Sequence, residues 1–163
     1  MEFLIWIQDT VFSTWLRESD WALFALLIVH TIGMAFLSGT GMVVALRILG
    51  IAPQVPLSLL SRFVPVMMLG LIAAILSGVL LVVSYPAKAL TNPLFYIKLA
   101  ILTIALLVTR RIVKHITSNS QFDLGPLPDS LRRRAMLSLA LWAFGITAGK
   151  FLAYTNTMLL VYQ

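Results

Sequence analysis

From Trp21 to Leu46 the chain runs for 26 residues without one Asp, Glu, Lys or Arg. That is long enough to cross a bilayer, whose hydrocarbon is spanned by about 20 apolar residues in a helix. Three more stretches of the same character follow, and spans are expected near 22–48, 63–85, 94–116 and 135–160. The predicted fold class is all-α: an integral membrane four-helix up-and-down bundle preceded by an N-terminal interfacial amphipathic helix. With 60% of the 163 residues hydrophobic and 11% charged, little remains for a second core, and residues 1–163 read as a single transmembrane domain.

Each span has a recognisable break. The first ends at Arg47-Ile48-Leu49-Gly50 before Pro53 and Pro56. The second starts around Pro65, which a first helical turn tolerates, and stops at Tyr85-Pro86. Asn92-Pro93 opens the third, whose far end carries Arg110, Arg111, Lys114 and His115 before the polar run Thr117-Ser118-Asn119-Ser120. Pro126, Pro128, Asp129 and Ser130 lead into the fourth, with Asp129 or Ser130 as N-cap.

Charge asymmetry orients the bundle, because cytoplasmic loops accumulate Lys and Arg. The side of the first and third loops holds Arg47, Arg62, Arg110, Arg111, Lys114, Arg132, Arg133 and Arg134, whereas the opposite side holds Arg17 and Lys88. This pattern predicts a multi-pass protein of a bacterial inner membrane with both termini periplasmic. A pI near 10.2 then reflects topology rather than nucleic-acid binding, and Arg132, Arg133 and Arg134 are candidates to hold anionic lipid headgroups. The absence of cysteine excludes disulfides and thiolate-ligated metal centres.

The first residues are no cleavable signal, since the start is acidic and no small-residue cleavage pattern follows. Residues 2–18 read as the interfacial helix, with Phe3, Leu4, Ile7, Val11, Trp15 and Leu16 at helical spacing. It serves as an anchor or as a docking surface for a partner. Helices in lipid associate through small residues, and these are present: Gly145 and Gly149 in the fourth span, Gly70, Ala74 and Gly78 in the second, Gly33 and Gly41 in the first.

His30, Lys98 and Lys150 sit inside the apolar runs with no acidic residue nearby in sequence. A charged side chain at the centre of a span costs about 2.5–3.5 kcal/mol on insertion scales, which makes such residues candidates for function. At the helical rise, His30 lies roughly 12 Å, Lys98 roughly 6 Å and Lys150 roughly 15 Å below the outer ends of their spans. All three therefore occupy the outer half. If they converge, with Tyr96, Tyr154 and Thr147 as hydrogen-bonding neighbours, they form a basic pocket for an anionic amphiphile: lipid phosphate, a haem propionate or another acid. A quinone would instead accept a hydrogen bond from His30. The competing readings are structural: Lys98 snorkels to the interface, Lys150 is neutral or bonds a backbone carbonyl, and His30 bonds a carbonyl of a neighbouring helix.

A bis-histidine haem is excluded, since His30 and His115 are separated by roughly 20 Å along the membrane normal. His30 alone, or with Met67 or Met68, remains a candidate axial ligand of haem b. His30 and Met34 share a helix face, and with Met67 and Met68 they are the candidate ligands of a Cu(I) site, against which stands methionine's ordinary use in packing. No nucleophile with a base and orienting acid appears, nor a phosphate-binding glycine loop, which removes hydrolysis and phosphoryl transfer.

The strings Asp20-Trp21 through LLIVHTIGMAFLSGTGMVVALRILG, NPLFYIKLAILTIALL and RRRAMLSLALWAFGITAGKFLAY resemble a family of small bacterial inner-membrane proteins classed as domains of unknown function. The resemblance spans about residues 15 to 155, and its most specific parts are His30-x-x-Gly33 leading to Leu46-Arg47-x-x-Gly50, and Lys98. The chain departs from that family at Ala45, where an acid is common, at Thr109, where a histidine is common, and at Lys150, where an arginine is common. The fold also looks like four-helix membrane cytochromes and copper-resistance membrane domains, which implies electron transfer or copper handling. The expected function is a non-catalytic membrane subunit of a larger electron-transfer, respiratory or photosynthetic assembly. Its partners are membrane lipids and other membrane subunits, and its ligand is an anionic amphiphile (lipid, haem or quinone) near His30, Lys98 and Lys150. The alternative is a haem b or copper protein built on His30 and methionines.

Overall fold

The computed structural model describes residues 2–118 and 127–159; the polar run beyond Ser118, Pro126 and position 160 lie outside them. The described elements are α1 (Glu2–Gln8), α2 (Val11–Glu18), α3 (Ala22–Ile48), a 3-10 helix (Leu57–Phe63), α4 (Val64–Ser84), α5 (Pro86–Leu90), α6 (Pro93–Thr117) and α7 (Asp129–Leu159). Among the described residues four helices are long and apolar enough to cross a membrane, and the chain is an all-α, multi-pass membrane protein.

Local chemistry explains the boundaries. Asn92 caps α6, its side chain accepting from Leu94 N at 3.0 Å, and Pro93 follows where its missing N–H costs nothing. Helix α7 begins before the expected 135, because Pro128 O accepts from Leu131 N and Arg132 N, and Asp129 sits in its first turn. The interfacial helix expected over 2–18 is broken in two. Thr10 is an N-cap whose hydroxyl oxygen accepts from Ser13 N at 3.3 Å while donating to Ile7 O at 2.7 Å. A side chain that can hydrogen-bond its neighbouring backbone competes with a continuous helix.

Neither α1 nor α2 is a loose anchor. Ser13, fully buried, donates to Val83 O at 2.8 Å. Arg17 donates to Gln8 O, Ser13 Oγ and Ser84 O at 2.8, 3.0 and 3.1 Å, which ties the two short helices to the end of α4. At the opposite, basic side, Arg47 bridges back to Pro53 O at 2.8 Å and to Val55 O. There Leu57 and Leu60 of the 3-10 helix plug the bundle, buried with Val44, Ile48, Ile112, Ile116 and Leu131.

Helix α3 is the hub, touching α4, α6 and α7. Its contact with α4 is backbone to backbone. A Cβ on Gly33 would lie 2.7 Å from Ala74 N, and one on Gly70 would lie 2.6 Å from Leu37 N, the close approach that small residues permit in lipid. At the waist, Leu37, Met67, Ala105 and Trp142 come one from each long helix into a single buried cluster.

Helices α6 and α7 meet along an antiparallel seam in which a step of four or seven residues along one matches an equal step back along the other. Thr109 faces Ser138 (Oγ1···Oγ 2.9 Å), Leu102 faces Gly145, and Lys98 faces Gly149. Trp142 is fully buried on this seam, its indole N–H donating to Thr109 Oγ1 at 3.0 Å.

Candidate functional site

The seam and the α3–α4 contact both run past the waist toward the side where α3 begins, called here the terminal side. Among the described residues neither buried hydrophobic cluster is centred on that side of the waist. The inward positions there include Gly33, Ala74, Ser77, Gly78, Gly145 and Gly149, together with the buried Leu26 and with His30 and Lys98. Small residues remove bulk where the two basic side chains enter.

His30 leans on α4. Its Nδ1 lies 3.0 Å from Ser77 Oγ, and Ser77 in turn donates to Ala73 O at 2.6 Å. A serine has one hydroxyl hydrogen, and this one goes to the carbonyl, so His30 Nδ1–H is the donor. The imidazole is thereby oriented toward α4, where the backbone of Ala74 is a second hydrogen-bond partner of the ring. A Cβ on Gly78 would lie 3.3 Å from His30 Cε1, so Gly78 provides the room in which the ring stands.

Lys98 crosses from α6 to α7. Its Cε and Nζ lie 3.3 and 3.4 Å from where a Cβ on Gly149 would be, so the alkyl stem packs on bare helix backbone. The side chain is half-buried, and among the described residues its ammonium has no hydrogen-bond partner. Lys98 is also the charged residue within electrostatic range of His30. No Asp or Glu occurs between Asp20 and Asp123 or after Asp129, so the spans contain no carboxylate to neutralise it.

The other expected site residues are placed differently. Lys150 is exposed, one position and so about 100° around α7 from the seam residue Gly149. Tyr154 is exposed, and Tyr96 donates to Leu90 O at 2.9 Å. Thr147 donates to Ala143 O of its own helix at 2.9 Å and lines a groove between α6 and α7. The other walls of that groove are Leu94, Ile101, Phe144, Ala148 and Phe151. Lys98 stands within electrostatic range of His30, while Lys150 and Tyr154 are exposed.

Met67 and Met68 stand apart from His30, whereas Met34 is one turn along the same helix. Met67 is buried in the waist, with Met34 and Met68 packed against the same cluster. Ser77, the partner of His30, is ten residues beyond Met67 on α4, which is about 15 Å along the helix. A single metal ion cannot take both His30 and Met67. Among the described residues no group of three or more His, Asp or Glu side chains could hold a metal. Arg132, Arg133 and Arg134 are exposed in the first turns of α7 at the basic side.

The buried hydrogen-bond set Thr109, Ser138 and Trp142 was not anticipated as a unit. Its signal was present: Leu131, Ala135, Ser138, Trp142, Gly145 and Gly149 repeat at alternating spacings of four and three along α7. Comparison with known protein families, with curated proteins and with solved structures finds no match.

Proposed function

We propose that this protein is a non-catalytic membrane subunit that holds an anionic amphiphile on the terminal side of its bundle, with Lys98 as the charge that receives the head and His30 beside it. The observation that carries this reading is a half-buried lysine laid over Gly149 in spans that contain no carboxylate. An unneutralised ammonium at that depth is costly, and an anionic head supplied by the ligand offsets the cost. Short connections between the spans leave little mass outside the membrane for independent chemistry, which supports an accessory place in a larger assembly. The electron-transfer setting is proposed from the sequence resemblance alone. The basic residues gathered on the loop side support a bacterial inner-membrane location with periplasmic termini.

The test is lipid analysis of protein extracted from its native membrane in mild detergent. Wild type and Lys150→Gln are expected to carry a stoichiometric anionic amphiphile, and Lys98→Gln to lose it. Equal anionic content in wild type and Lys98→Gln would overturn the proposal.

One observation favours a second reading. The Nδ1–H of His30 is held by Ser77, the arrangement that orients a histidine whose Nε2 ligates a metal. On this reading His30 is the sole axial ligand that the chain gives to haem b. A Soret band in the isolated subunit that is lost in His30→Ala would establish it, and a colourless subunit would dismiss it.

A further inference from the structure

The groove between α6 and α7 measures about 370 Å³ and presents Leu94 and Ile101 from one helix and Phe144, Thr147, Ala148 and Phe151 from the other. Each helix contributes an eight-residue stretch, seven rises from end to end, so the groove is about 10 Å long and runs parallel to the bundle. A single extended hydrocarbon chain fits a groove of this length and volume. Lys98 stands between Leu94 and Ile101 on α6, one helical turn from each, and its Nζ lies against Gly149, next to the groove residue Ala148. Lys98 is five residues after Pro93, about 7 Å along the helix, while the headgroup and interfacial layer is itself about 5–7 Å deep. A phosphate can reach the ammonium without being drawn far into hydrocarbon.

We infer that this groove is a one-chain lipid site, in which one acyl chain of an anionic glycerophospholipid lies along Ile101 and Phe144 while its phosphate pairs with Lys98. The inference rests on the proposal that Lys98 receives an anionic head, and it adds where the tail goes and what class of molecule carries it. The uncharged hydroxyl of Thr147, already bonded to Ala143 O, leaves the groove walls apolar, as a chain requires. A neutral quinone would leave the ammonium unpaired.

The test is native mass spectrometry of the full chain, with dioleoyl phosphatidylglycerol and dioleoyl phosphatidylcholine as probes. Wild type is expected to retain one phosphatidylglycerol about tenfold more tightly than phosphatidylcholine, the scale of one charge-assisted hydrogen bond. Lys98→Gln should equalise the two lipids. Ala148→Phe and, from the other wall, Ile101→Phe should weaken both lipids while the selectivity of whatever remains bound persists. Both substitutions enlarge a groove-lining side chain without touching the waist. If Lys98→Gln abolishes selectivity but neither filling substitution weakens retention, the tail site is wrong and the head site stands. If wild type does not discriminate between the lipids, both fall.

Discussion

The indole of Trp142 occupies the space that a side chain at Gly41 would need: a Cβ there would overlap the indole nitrogen and its ring neighbours. The glycine on α3 and the tryptophan on α7 therefore fit only as a pair, and they fix the helices at the waist. Trp142 is fully buried and gives its N–H to Thr109, so the ring cannot swing aside without leaving Thr109 and entering space already filled by Leu37 and Met67.

Gly41→Ala is accordingly expected to destabilise the bundle by about 1–3 kcal/mol, the usual range for overpacking. Thermal unfolding in detergent reads this as a lowered Tm. Trp142→Phe alone should lose a smaller amount, since interhelical hydrogen bonds in membranes average about 0.6 kcal/mol and the lost ring volume adds to it. The double variant Gly41→Ala, Trp142→Phe should be more stable than additivity predicts, because the second change vacates the space the first invades. Strict additivity would show that the two residues do not meet.

The antiparallel register of α6 and α7 is open to direct measurement because the chain has no cysteine. Thr109→Cys with Ser138→Cys places two thiols where the hydroxyl oxygens are 2.9 Å apart, and mild oxidation should cross-link them efficiently. Thr109→Cys with Leu141→Cys, almost one turn out of register, should cross-link poorly. The reverse order of yields would place the seam elsewhere.

Arg17→Gln should release α1 and α2 without unfolding the spans. The guanidinium holds Gln8 O, Ser13 Oγ and Ser84 O, and a hydrogen bond to a charged group is worth about 1.5–3 kcal/mol, less where solvent reaches it. Hydrogen exchange should rise over residues 2–18 and stay unchanged in α3 and α6. Exchange that rises in the spans as well would make Arg17 part of the global fold rather than a local clamp.

How much of this could be read in the chain follows from the physics of each feature. The four spans are legible because a charge-free run such as Trp21–Leu46 has no stable alternative in lipid. The break at Thr10 was not, since its capping residue is embedded in an otherwise continuous amphipathic pattern. Lys98 and Lys150 look alike in sequence, each a lone base in an apolar run, yet one lies on the seam and the other is exposed. Which face of a helix is inward depends on its partner, so that difference required the pairing with Gly149. The 3-10 helix Leu57–Phe63 sits in what reads as a Pro-rich loop. Its role as a plug depends on the space between α3, α6 and α7.

Orientation can be tested by labelling. Thr91 and Ser58 are both exposed and lie at opposite ends of the bundle, before α6 and before α4. In intact cells expressing single-cysteine variants, Thr91→Cys should react with an impermeant maleimide and Ser58→Cys should react only after permeabilisation. The opposite pattern would reverse the proposed topology and place Lys98 in the cytoplasmic leaflet.

Gly149 separates the packing role of the seam from its ligand role. The nearest atoms to a Cβ at this position would be those at the flexible end of Lys98, at 3.3 to 3.7 Å, and a lysine stem can yield by a few tenths of an ångström. Gly149→Ala should therefore leave both Tm and lipid retention close to wild type. Gly149→Leu is too large to share the space: it should push the ammonium off the seam while the Thr109–Ser138–Trp142 set below holds the helices together. The expected result is a near-normal Tm with phosphatidylglycerol selectivity lost, as in Lys98→Gln. If Gly149→Leu unfolds the protein instead, the glycine is there for helix packing; if it keeps full selectivity, the position of Lys98 over Gly149 is not what receives the anionic head.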